Sequence, residues 1–193
     1  KAVATTDIIT EAGQLFNQDS KVLLVSFARS GNSPESVGAI NLVNKTAGQA
    51  AHIYITCNAN GEMAKMADGS DNILLVLLPA KTNDLSLAMT SSYSSMYMAC
   101  AMIPNIDSIE ADKAQIDAVA AATQSALEKY TDAIKGIADR DFTRAVFLGS
   151  GELMGVAEES RLKLQELTDG TVMCAFDSFL GFRHGPKAVI SPD

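Results

Sequence analysis

The chain has 193 residues, is 47% hydrophobic and carries a formal net charge of −8. Its length and apolar content suffice for one large α/β domain or two small ones and argue against disorder. Its acidity argues against a general nucleic-acid surface, which needs a basic face to neutralise phosphates. The three cysteines, Cys57, Cys100 and Cys174, are odd in number, far apart and without metal-ligand spacing. Neither a disulfide framework nor a metal site is expected, and the thiols read as buried and free.

In chain order, Lys1 to Asp7 lack the basic, apolar and cleavage regions of a secretory signal, so a cytoplasmic chain is the expectation. A strand is predicted at Lys21 to Phe27 and a helix at Pro34 to Lys45, then a strand at Ala51 to Cys57 and a helix at Gly61 to Ala67. A third strand, Ile73 to Leu78, precedes a helix at Leu85 to Met102. This is the rhythm of βαβ units, in which helices cover both faces of a parallel sheet. The runs Val22 to Val25 and Ile73 to Leu78 are continuously apolar, as strands covered on both faces are, so both are expected as central strands. The second run is the longest apolar one and stops at Pro79, far short of the roughly 20 residues of a membrane helix.

Pro104 to Asp107 breaks the pattern, and Glu110 to about Lys135 reads as one long connecting helix ending near Gly136. A second cycle follows: a strand at Ala145 to Leu148, the turn Gly149-Ser150-Gly151, a helix from about Met154 to Leu167 and a strand at Thr171 to Phe176. The expected organisation is a first half over residues 1–103, a connecting helix within 104–143 and the start of a second half over 144–193. The second half holds fewer strands than the first, so a piece of a longer chain is expected.

The first strand runs into Ala28-Arg29-Ser30-Gly31-Asn32-Ser33-Pro34. Ser33 suits an N-cap and Pro34 the first helical position, which directs free helix N–H groups toward the carboxyl edge of the sheet. Gly31 permits close backbone approach, Ser30 and Ser33 offer hydroxyls, and the helix dipole favours an anion. The residues alone leave two readings open, a phosphate cradle and a plain capped loop. Triphosphate chemistry is disfavoured, because the turn lacks the Gly-Lys-Ser/Thr ending that such loops carry.

Downstream, Glu159, Lys163 and Glu166 share one helix face by i, i+4 and i+3 spacing. A solvated stripe of ordinary ion pairs is the commoner arrangement of such residues. His184 sits between glycine and proline-containing neighbours in Gly181-Phe182-Arg183-His184-Gly185-Pro186-Lys187, whereas His52, inside Ala51-His52-Ile53-Tyr54, reads as structural. An imidazole can exchange protons with a sugar ring oxygen and a carboxylate can shuttle a carbon-bound proton, a combination that suits aldose–ketose chemistry. Gly149-Ser150-Gly151 followed by Gly155, with Asp169 or Asp177 as an acidic partner, only approximates a dinucleotide fingerprint, whose third glycine comes one residue earlier.

Four motifs in order carry a resemblance: Thr5-Thr6-Asp7, Ser26 to Ser36, Ala88-Met89-Thr90-Ser91-Ser92, and Gly181 to Lys187. Over most of its length the chain resembles the sugar isomerase (SIS) domain family. The resemblance implies an α/β fold of tandem flavodoxin-like αβα sandwiches with parallel sheets, the second half truncated here. It implies an isomerase or deaminase of a hexose or hexosamine 6-phosphate, with galactosamine 6-phosphate giving tagatose 6-phosphate and ammonia, and no cofactor or metal. By position, the phosphate falls to Arg29, Ser30, Gly31, Asn32 and Ser33, and sugar contacts to Thr90 and Ser91. Ala28 stands where a related member has a serine, a loss for which Arg29 is expected to compensate. Glu166 would be the base between C1 and C2, with Lys163 beside it, and His184 would open the ring. In that member the histidine comes from a neighbouring subunit, so a homodimer or higher homo-oligomer is implied, without nucleic acid or membrane as partner. The family's first strand and its Gly-x-Gly-Thr-Ser turn would precede Lys1. SIS domains also serve regulators as effector modules, so a non-catalytic sugar-phosphate sensor is the alternative, although no helix-turn-helix or basic region is evident.

Overall fold

Continuous apolar runs become parallel strands in the computed structural model, which describes residues 1–190. The chain divides into two units, Lys1–Ile109 and the stretch from Glu110 on. In the first, the elements are α1 (Thr5–Leu15), β1 (Lys21–Ala28), α2 (Pro34–Thr46), β2 (Gln49–Thr56), α3 (Glu62–Ala67), β3 (Ile73–Leu77) and α4 (Ser91–Met102). The strands pair in the order β1-β2-β3, with Leu24 opposite His52 and His52 opposite Ile73.

Side chains alternate across the sheet. Val22, Leu24 and Ala28 of β1 face α1, α2 and α3, where Ile8, Val43, Ile40, Tyr54 and Met63 form the core. The other face carries Leu23, Phe27 and Leu74, all exposed, and α4 lies against it near Phe27. The first unit is therefore three layers deep, as expected of a parallel α/β unit.

Three expectations are corrected. Among the strands described, β1 and β3 flank β2 and do not take the middle place expected of them; the middle strand carries His52, Tyr54 and Thr56, which two neighbouring strands and the helical layer bury. Continuous apolarity reports what covers a strand's faces, and says little about its rank in the sheet. The segment before Lys21, to which no element was assigned, forms α1, seated by Ile8 and Ala12 at i, i+4 spacing. Finally, α4 begins at Ser91 and not at Leu85: a 3-10 turn at Ala80–Thr82 and a loop lead into it, and Leu85 and Leu87 stand exposed. Asp84 occupies the α4 N-terminus, so the residues beside it cannot be helical.

The first unit closes with a 3-10 turn at Ile103–Ser108, which leads into α5 (Ile109–Ala138), none of whose residues is buried. It is followed by β4 (Arg144–Leu148), α6 (Leu153–Leu167), β5 (Met173–Asp177) and α7 (Phe179–Phe182), then a 3-10 turn at Gly185–Val189. β4 and β5 are parallel, with Arg144 opposite Met173. β5 starts two residues later than expected, because α6 ends on the left-handed pair Asp169 (φ 49°) and Gly170 (φ 73°), whose Gly170 amide donates back to the Gln165 carbonyl. Among the described residues no helix is long and apolar enough to cross a membrane.

Candidate functional site

The turn at residues 28–33 is shaped from behind by the segment that follows β2. Thr56 Oγ1 donates to the Arg29 carbonyl (3.4 Å), Asn58 Nδ2 to the Ser30 carbonyl (2.8 Å), and the Met63 amide to the Gly31 carbonyl (3.1 Å). The Glu62 amide donates to Asn32 Oδ1 (2.9 Å). Across a trans peptide the C=O and the next N–H point in opposite directions. With these three carbonyls drawn to the brace, the amides of Ser30, Gly31 and Asn32 are directed away from it; that of Asn32 donates to Ser30 Oγ at 3.3 Å, which leaves those of Ser30 and Gly31 as donors of the kind that meets an anion. Gly31 takes φ +66°, a conformation that favours glycine. Gly61 is required for a different reason: a Cβ there would collide with the Ser30 carbonyl oxygen.

Two turn residues differ from expectation in their side-chain bonding. Ser33 is the N-cap of α2, yet its hydroxyl makes no capping bond; it donates to Glu35 Oε2 at 2.6 Å, which holds the Glu35 carboxyl below its usual pKa. The α2 N-terminus thus keeps uncapped donors at the turn. Arg29 reaches across to the loop before α4, where Nη1 donates to the Ser86 carbonyl at 2.9 Å. That loop carries Asp84, whose carboxylate holds the amides of Thr90, Ser91 and Ser92. Thr90 and Ser91 are thereby tied, through Asp84 and Ser86, to the same loop as Arg29. Beside them, Phe27, Tyr93, Met96, Tyr97, Cys100 and Ala101 line an open groove of about 460 Å³ with no charged group to meet a phosphate.

The second unit holds the other predicted residues. On α6, Lys163 Nζ lies 2.6 Å from Glu166 Oε2 and 3.4 Å from Glu159 Oε1. The three side chains are only 20–27% exposed, so this face is not a solvated stripe. Burial disfavours the Lys163 charge, but its hydrogen bond to Glu166 and the field of both carboxylates outweigh it and raise the Lys163 pKa. Only one Glu166 oxygen takes the lysine. His184 is exposed at the start of the Gly185–Val189 turn, and among the described residues no hydrogen bond or ion pair joins it to Glu166 or Lys163. His52, read as structural, is buried in β2 and shares a hydrogen bond of 2.8 Å between Nε2 and Asn44 Oδ1.

Asn58, Gly61 and Asp84 escaped the reading of the sequence. Parallel pairing offers a signal for the first two: Ala28 and Thr56 end their strands side by side, so the turn after β2 must border the turn after β1. Asp84 offers none, being an isolated acid in an irregular loop.

The SIS domain family matches residues 2–105. The D-galactosamine-6-phosphate deaminase AgaS of Escherichia coli O157:H7 is 42% identical over 98% of the chain and 49% of its own length. The solved tagatose-6-phosphate ketose/aldose isomerase from Escherichia coli is 41% identical over 99% of the chain and 51% of its own, with a TM-score of 0.91. A solved structure from Clostridium novyi NT, 40% identical over 98% of the chain and 48% of its own, gives a TM-score of 0.94. The chain spans about half the length of the curated relatives it matches.

Proposed function

Since the chain belongs to the SIS domain family, we propose that it is part of an aldose–ketose isomerase and deaminase of a hexosamine 6-phosphate, converting galactosamine 6-phosphate to tagatose 6-phosphate and ammonia. Residues 1–103 form one SIS half and residues 144–193 open a second, with a connecting helix within 104–143. The observation that carries the chemistry is the Lys163–Glu166 pair: a carboxylate held on one oxygen by an ammonium, the other oxygen left to take a proton. The turn built by Arg29, Ser30, Gly31, Asn32 and Ser33 holds the phosphate through its outward amides. Thr90 and Ser91 meet the sugar.

His184 exchanges protons with the ring oxygen and the anomeric hydroxyl, and the ring opens to the aldehyde. Glu166 then takes the C2 proton while O1 gains one, giving an enolamine, and returns it at C1 while the nitrogen gives one up, giving a 2-imino sugar. Water adds to the imine and ammonia leaves, so the final step is a hydrolysis. Every step is proton transfer or addition of water, and needs no cofactor. A homodimer in the cytoplasm is the setting that the family resemblance suggests, with His184 supplied by the neighbouring subunit. The test is incubation of the full-length protein with galactosamine 6-phosphate, glucosamine 6-phosphate and tagatose 6-phosphate while ammonia and ketose are measured. Release of ammonia from the galacto sugar is expected; no turnover of any hexosamine phosphate would sink the deaminase reading.

A further inference from the structure

Asp84 concentrates more hydrogen bonds on one side chain than any residue of the phosphate turn. Its Oδ2 accepts from the Thr90 amide (3.0 Å), the Ser92 amide (2.9 Å) and Ser92 Oγ (2.6 Å). Its Oδ1 accepts from the Ser91 amide (3.0 Å) and Thr90 Oγ1 (3.1 Å). Two consequences follow from elementary chemistry. The α4 N-terminus is already filled by a carboxylate, so its amides are not available to a ligand phosphate. And a hydroxyl has one proton: with that of Thr90 given to Asp84, only the oxygen lone pairs of Thr90 remain for anything else. Thr90 is exposed, so those lone pairs are accessible.

We propose that Asp84 is a positioning residue that fixes Thr90 as a hydrogen-bond acceptor for a hydroxyl or amino N–H of the sugar, and so helps to orient the end of the substrate remote from its phosphate. The inference rests on the sugar-phosphate reading above. An ionised phosphate oxygen can only accept, and so finds no partner in Thr90; a sugar hydroxyl or an amine can donate. The Arg29 bond to Ser86, two residues from Asp84, holds the same loop to the phosphate turn, so one loop sets the spacing between phosphate and sugar contacts. The hydrogen bonds from the Ser92 hydroxyl and from the amides of Ser92, Thr90 and Ser91 also keep the Asp84 carboxyl well below the usual aspartate pKa, which leaves it ionised across the working range.

The experiment compares the full-length protein with its Asp84→Asn and Thr90→Val variants, measuring KM and kcat for galactosamine 6-phosphate and inhibition by inorganic phosphate. Both variants should raise KM roughly 5- to 10-fold, the scale of one lost hydrogen bond. Inhibition by inorganic phosphate should stay within about twofold, since that ion needs the turn and not Thr90. Thr90→Val leaves the amide bonds of Asp84 in place, so it decides the matter even where Asp84→Asn does not fold; Thr90→Ser, which keeps the hydroxyl, should restore KM. Parallel weakening of inorganic phosphate in both variants, or an unchanged KM in Thr90→Val, overturns the proposal while leaving the phosphate turn intact as a reading. An unaltered protein that neither binds nor turns over any sugar phosphate overturns that reading and this proposal with it.

Discussion

The phosphate turn and the Glu166 face solve two different problems with two different materials. The turn presents backbone amides, and their direction is imposed by side chains and backbone about 30 residues away, such as Asn58 acting on Ser30 and Glu62 acting on Asn32. The α6 face presents side chains, and their meeting follows from a helix repeat that brings Glu159, Lys163 and Glu166 together within two turns. A recognition element made of backbone is only as good as its remote supports; a proton-transfer element made of side chains is local. Damage to each should therefore look different.

The largest expected effect tests the local element. Glu166→Gln keeps the size of the side chain and an oxygen for Lys163 but removes the base, so kcat should fall roughly 10²- to 10⁴-fold. Inhibition by inorganic phosphate, which reports the first unit, should not change. Retained turnover would remove Glu166 from the mechanism; a parallel loss of phosphate binding would show that the two elements are not separable.

Smaller effects of the opposite kind are expected in the brace. In Gly61→Ala the new Cβ forces the Ser30 carbonyl to move, and overpacking of this sort costs about 1–3 kcal/mol. If the displacement falls on the turn, inorganic phosphate should bind roughly 10- to 100-fold more weakly. Asn58→Ala removes one donor from a carbonyl that water can reach, so a loss of about 0.5–1.5 kcal/mol and a 2- to 10-fold weakening are expected. Titration of inorganic phosphate by calorimetry measures both. Unchanged affinity in Gly61→Ala would mean that the turn is not held by its brace.

The same contrast explains what the sequence could be made to yield. The strand-to-helix rhythm was legible because strands and helices announce themselves by local periodicity, and the Lys163–Glu166 contact because i, i+3 spacing is geometry. The turn was legible as a motif but not as a structure: nothing between Ala28 and Pro34 says that Gly61 must lack a side chain. Asp84 was hidden, and with it the true start of α4, because a carboxylate capping a helix from six residues upstream leaves no pattern within the helix itself. The rank of β1 and β3 was misjudged for a related reason, since strand order depends on pairing partners that local apolarity does not identify.

The smallest effect separates the units by pH. In the first, burial of His52 among the core residues lowers its pKa below the ordinary 6.5. The unfolded chain then binds a proton that the folded one refuses, so this contribution is present above pH 6.5 and is lost as pH falls below it toward the lowered folded value. In the second unit Lys163 has its pKa raised above 10.5, with its charge held by Glu166 and Glu159 against the cost of burial. Its contribution is complete below pH 10.5 and is lost as pH rises through the raised value. Melting followed from pH 7.5 to 5.5 should therefore decline less steeply in His52→Gln than in the unaltered protein, while the alkaline limb of that variant is unchanged. Lys163→Met should do the reverse, flattening only the decline above pH 10.5. An altered alkaline limb in His52→Gln, or an altered acid limb in Lys163→Met, would show that the limbs do not belong to these two residues, and would break the comparison at its root.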